Sequence, residues 1–188
     1  MHDLKPITPL GGTAARVDTV AGLTLRENPD QALASLASRL GREADCAKTA
    51  AAFLGCALPG PGQHDAAGLF AAFWTGPEQW MVTAPHDSHE DLAVQIKLAV
   101  GDAGSVTEQT DGWCRFELEG AEAPAVLERL CAVDTGRMQG GAATRTIIEH
   151  LGCFLICRET GRAFSVLGPR SSARALHHAI LTAIRAAL

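Results

Sequence analysis

Tyrosine is absent from the 188 residues, and nine aromatics in all, three Trp and six Phe, leave little ring surface for a core. Lysine is nearly absent too, occurring only as Lys5, Lys48 and Lys97, so thirteen arginines supply the rest of the positive charge. Sixteen basic against 21 acidic residues give a formal charge of −5 with histidine neutral. That balance excludes a general nucleic-acid or anionic-membrane binder, since both need a basic surface. Long apolar runs are missing as well. A membrane helix requires roughly 18 uncharged apolar residues, and the longest uncharged stretch, 49–63, is broken by Gly55, Pro59, Gly60, Pro61 and Gly62. The first ten residues lack the basic head and apolar stretch of a signal peptide. Cys46, Cys56, Cys114, Cys131, Cys153 and Cys157 stand singly at apolar positions, the pattern of reduced, buried thiols. The expected compartment is the cytoplasm.

Hydrophobic residues make up 47% and charged residues 20%, which describes a folded globular chain and not a disordered one. A chain of this length buries roughly 70% of its unfolded surface and needs no disulfide or metal staple. Thirty-three alanines mean that each core residue contributes little buried area.

The amino end, 1–22, carries Pro6, Pro9, Gly11 and Gly12 without periodicity and reads as an arm. Leu23 to Arg26 suits a short strand. Asn28, Pro29 and Gln31 resemble an N-cap, a first helical proline and a capping-box partner, so the spacing predicts a helix with the stripe Leu33, Leu36, Ala37 and Leu40. A second helical segment over 46–56 follows. Residues 69–74 and 79–82 form a hairpin around Gly76-Pro77. Ser88 and Asp91 open a helix striped by Leu92, Ile96, Ala99 and Val100. Strands over 106–109 and 113–118, a helix over 121–131, strands over 144–149, 153–158 and 163–167, and a closing helix striped by Leu176, Ile180, Ile184 and Leu188 complete the chain. Adjacent strand pairs with helices between them indicate α+β architecture with antiparallel or mixed sheets. The expected organisation is an arm over 1–22 and one domain over 23–188, divisible into lobes of about 23–104 and 105–188.

Motifs for chemistry are sparse. Gly60-Pro61-Gly62 lacks a third glycine, and proline removes an amide a phosphate would need; no G-x-x-x-x-G-K-[ST] occurs. Cys153 and Cys157 on a strand lie about 13 Å apart, too far to share a zinc bonded at about 2.3 Å. His177 and His178 splay apart on a helix, and His86 and His89 flank a helix start. There is no G-x-S-x-G elbow, and pairing Cys131 or Cys114 with His150 is arbitrary. Asp111 and Asp134 sit at element boundaries, where turn roles are usual. Glu117 and Glu119 alternate with Cys114, Phe116 and Leu118, which assigns the two carboxylates to a solvated strand face. Trp74, Trp80 and Trp113 read as core, although Trp and Arg also anchor interfaces. The expectation is no catalytic, cofactor-binding or metal-ligating residue in this chain.

Five segments, in order, carry a resemblance. They are Gly76-Pro77-Glu78-Gln79-Trp80-Met81-Val82; Thr110-Asp111-Gly112-Trp113-Cys114-Arg115-Phe116 with Leu118 and Gly120; Ala123, Val126 and Leu127 through Cys131 and Asp134; Arg145-Thr146; and Phe164 and Val166 with Arg170, Ser171 and Ala173. Over residues 65–188 the chain resembles the gamma-subunit family of heterotetrameric sarcosine oxidases, within the folate-binding aminomethyltransferase-like superfamily. The resemblance implies a fold of the glycine-cleavage T-protein type and a non-catalytic subunit in an oxidoreductase complex of sarcosine catabolism and one-carbon metabolism. It implies alpha, beta and delta subunits as partners, which would hold FAD, FMN, NAD and tetrahydrofolate, with no cofactor in this chain. Such a complex demethylates sarcosine to glycine, forming hydrogen peroxide and passing the one-carbon unit to tetrahydrofolate. Two other readings stay open: a standalone folate-binding one-carbon protein, and the equivalent subunit of an N-methylglutamate dehydrogenase. The Trp74/Trp80 hairpin and the amino arm are the expected contact surfaces.

Overall fold

The computed structural model describes residues 5–187. They fall into two compact units, one taking 1–29, 111–140 and 145–188 so far as these are described, the other 30–110 and 141–144. Residues 1–4 of the expected arm and Leu188 of the expected closing stripe lie outside the described residues.

The first unit is built on a six-stranded antiparallel sheet ordered β1-β2-β8-β11-β10-β9, in which β1 is Val17–Val20, β2 Leu23–Glu27, β8 Trp113–Glu119, β9 Ala143–Ile148, β10 Leu151–Glu159 and β11 Ala163–Pro169. Strand alternation sends Cys114, Phe116 and Leu118 to one face, and their register partners Gly168, Val166 and Phe164 continue it. Two helices complete the core, α3 (Ala123–Glu128), with proline in its first turn as expected, and α4 (Ala173–Ala187), which buries Leu176, Ile180 and Ile184. Proline is tolerated there because the first helical amides lack partners anyway. α4 lies so close to the sheet that a Cβ on Gly168 would stand 2.5 Å from Leu176 Cδ2, hence glycine.

The second unit holds a five-stranded antiparallel sheet ordered β4-β5-β6-β3-β7, with β3 Gln31–Ser38, β4 His64–Ala67, β5 Phe70–Gly76, β6 Gln79–Pro85 and β7 Gly104–Glu108. Helices α1 (Glu43–Leu54) and α2 (Leu92–Val100) pack Cys46, Ala50, Leu54, Leu92, Ile96 and Val100 against Ala32, Ala34, Leu36, Ala72 and Val82. The alanine-rich composition has its use here, since small strand residues let helices approach closely.

One expected element is wrong in kind. The segment read as a helix from Asn28 to Leu40 is strand β3, paired with β6 on one side and β7 on the other. Alanine and leucine fit either period, and propensity is a weak prior that tertiary pairing overrides. A central position satisfies both backbone edges of 31–38, which no surface helix would do for its neighbours. Leu40, the last residue of the presumed stripe, is 98% exposed. The short strands β1 and β4 lie where the sequence showed no strand pattern. Ser88 makes no cap, and α2 starts one residue after Asp91.

Candidate functional site

The most organised polar constellation lies on β8, on the sheet face opposite Phe116. Glu117 was assigned to solvent from its alternation with apolar neighbours; it is instead 7% exposed. Its charge is retained inside because donors converge on it from four parts of the chain. Arg115 Nε, two residues along the same strand face, lies 2.5 Å from Oε1, and Asn28 Nδ2 donates to the same oxygen at 3.2 Å. Arg158 Nε on β10 lies 2.7 Å from Oε2, and Ser165 Oγ on β11 donates to that oxygen at 2.7 Å. Ser165 Oγ in turn accepts from Arg115 Nη2 at 3.0 Å, and Arg158 Nη2 reaches Glu119 at 2.8 Å. Burial alone would raise the Glu117 carboxyl. The guanidinium groups of Arg115 and Arg158, with hydrogen bonds from Ser165 and Arg115, outweigh it and hold the group below the usual carboxylate range. A carboxylate with two donors on each oxygen is an organiser of strands β8, β10 and β11 and of the segment after β2, and a poor general base, because its protonation is opposed from every side.

The amino segment is fastened to the same unit by a second set of contacts. Glu27, 1% exposed, accepts the amides of Leu10 at 2.8 Å and Arg16 at 3.1 Å. Arg170 Nη2 donates to the carbonyl of Ile7 at 3.1 Å. His177, buried on α4, donates through Nε2 to Asp18 at 2.8 Å, and Arg16 pairs with Asp18 at the same distance. The hydrogen bond from Arg16 lowers the Asp18 carboxyl first; burial opposes it and His177 adds to it. The described part of the arm is therefore ordered by its own chain.

The resemblance segments serve mostly as turns and core. Pro77 and Glu78 make the β5–β6 turn, with Glu78 at φ 56°, and Trp80 lies in the core with its Nε1 donating to the carbonyl of Pro59 at 2.8 Å. That commitment removes Trp80 from the expected contact surface; Trp74 is half-buried against the same core. Trp113 packs on Phe154 with ring centroids 5.2 Å apart, and the Arg145 guanidinium stands 6.0 Å from the Phe154 centroid. Asp111 and Arg170, from two separate segments, approach to 3.6 Å. Thr135, fully buried, donates to the carbonyl of Pro124 at 2.8 Å.

All six cysteines are free. Burial pushes the Cys114 thiol up to about 12 and the Cys153 thiol up to about 11, so neither is a nucleophile at neutral pH. Cys153 and Cys157 share β10 as the strand reading required. His177 is buried and His178 exposed, the splay expected of neighbours on a helix. Among the described residues no group of three His, Cys, Asp or Glu side chains could hold a metal ion, and no helix is long and apolar enough to cross a membrane.

Two antiparallel sheets with interleaved helices define an α+β protein. No family model and no curated protein matches the chain. Solved structures do. A chain of the heterotetrameric sarcosine oxidase from Corynebacterium sp. U-96, in complex with pyrrole 2-carboxylate, is similar with TM-score 0.79 and 22% identity, covering 90% of this chain and 87% of that chain. The glycine cleavage system aminomethyltransferase T from Bartonella henselae is similar with TM-score 0.63 and 16% identity, covering 95% of this chain but 57% of that one.

Proposed function

We propose that this chain is a non-catalytic subunit, of the gamma type, in a cytoplasmic flavin-containing complex that oxidises sarcosine. The observation that supports the reading most is the extent of the structural likeness: 90% of this chain overlays 87% of a sarcosine oxidase chain with TM-score 0.79. The aminomethyltransferase is a weaker structural match, with TM-score 0.63 over 57% of its length. The full coordination of Glu117 by its own chain agrees with a supporting role, since its oxygens are already engaged. On this reading the alpha, beta and delta subunits hold FAD, FMN, NAD and tetrahydrofolate. This chain stabilises their assembly, and folds alone do not assign the amine.

The test is to tag the chain in its native host, purify it gently, and record the absorption spectrum, the co-purifying polypeptides and the oxidation of sarcosine and N-methylglutamate. A yellow assembly oxidising sarcosine supports the proposal; preference for N-methylglutamate reassigns the substrate. A colourless, monodisperse single species rejects the subunit reading. Calorimetry with tetrahydrofolate would then decide the standalone folate-binding alternative.

A further inference from the structure

In the second unit, α2 buries Leu92, Ile96 and Val100 and turns Val94 and Leu98 to solvent, 57% and 80% exposed. Four residues apart on a helix, these two aliphatic side chains stand one above the other on a single face. A third, Leu40, follows Arg39, whose amide donates to the carbonyl of Ala103 at 2.9 Å, just past the end of α2. Leu40 thus lies at the Leu98 end of the helix. A single exposed leucine signifies nothing, but a strip along one helix face, extended at its end, is the composition of a contact surface.

The exposed charges at the two ends of α2 are acidic, while Leu40 beyond it is flanked by Arg39 and Arg42, the latter paired with Asp45 at 2.9 Å. Exposed Asp87, Glu90 and Asp91 precede α2, and exposed Asp102 follows it. Lys97, the basic residue of the helix, is turned back onto the carbonyls of Gly101 at 2.6 Å and Gly104 at 3.0 Å. Arg39 approaches Asp102 only to 3.9 Å. We propose that the outward face of α2 is a subunit-docking surface that receives an apolar patch rimmed by Lys or Arg on a partner polypeptide; this rests on the subunit reading above. Electrostatics selects that occupant. A second copy packing α2 against α2 would set Asp102 and the Asp87–Asp91 acids of two chains, each of net charge −5, against one another, and like charges across an interface are unfavourable. The same acids repel nucleic acid and anionic lipid.

The test places benzoylphenylalanine at position 98 of the full chain in its native host and identifies photo-linked products by mass spectrometry. It is paired with Leu98→Asp and the conservative Leu98→Met, both checked for unchanged melting. The expected result is a link to a different polypeptide at an aliphatic segment flanked by Lys or Arg. Leu98→Asp should reduce co-purification about tenfold, as for a residue central to an interface, while Leu98→Met retains it. A flavin assembly that forms normally with Leu98→Asp and gives no link at position 98 overturns the docking face and leaves the subunit reading intact. A link between two copies of this chain also overturns the proposal. A chain that is solitary and unlinked overturns both readings together.

Discussion

Arg158 Nε and Glu117 Oε2 stand 2.7 Å apart on strands that are not neighbours, with Ser165 of the intervening β11 bonded to the same oxygen. One carboxylate thereby ties β8 to β10 across β11, and Asn28 adds the segment after β2. Removing Glu117 would leave Arg115, whose side chain is 14% exposed, without its carboxylate, whereas Arg158 would keep Glu119 at 2.8 Å.

Glu117→Gln should cost about 3–5 kcal/mol at neutral pH, as for a broken buried ion pair. The folded-state carboxyl is depressed relative to the unfolded value of about 4.3. Its stabilisation is therefore fully present above the unfolded value and is lost as pH falls through the folded one. Urea unfolding from pH 7 down to pH 3 should show the gap between the native chain and Glu117→Gln narrowing toward acid. A gap constant over that range would contradict the ionic account.

The β9–β10 hairpin turns on Glu149 and His150 at φ 48° and 66°. Two consecutive left-handed residues make the turn that matches strand twist, and Asn-Gly adopts it without the penalty of about 1–2 kcal/mol per residue that other side chains incur. Glu149→Asn with His150→Gly should raise the melting temperature by several degrees, a gain of about 1–2 kcal/mol. Calorimetry of the double variant checks this, and a fall in melting temperature would refute it.

Gly120 ends β8 at φ 142°, where a Cβ would meet the Gly22 carbonyl oxygen and Leu23 Cδ2, each at 2.7 Å. The first contact is backbone and cannot step aside. Gly120→Ala should destabilise the chain by about 1–3 kcal/mol from overpacking alone, read as a lower urea midpoint. An unchanged midpoint would mean that the β1–β2 turn yields freely.

Strand β8 was legible because Cys114, Phe116 and Leu118 alternate, and α4 because Leu176, Ile180 and Ile184 recur at helical spacing, each pattern being local. β3 was not, since an alanine- and leucine-rich run satisfies both periods and its two partners lie about fifty and seventy residues further on. Glu117 was misassigned for the same reason. Only Arg115 is close to it in sequence, and the other donors, Asn28, Arg158 and Ser165, are distant. A buried position for Glu117 could have been suspected only from Arg115 on the same strand face.

By itself the sequence determined the α+β class, the turn at Gly76-Pro77, the stripes of α2 and α4 and the segments that resemble the sarcosine oxidase family, because periodicity, turn chemistry and short motifs act over a few residues. Tertiary structure decided the kind of element at 31–38, the burial and charge state of Glu117, the fastening of the amino segment by Glu27 and His177, and the exposure of Val94 and Leu98. Each of these depends on partners brought together only by folding.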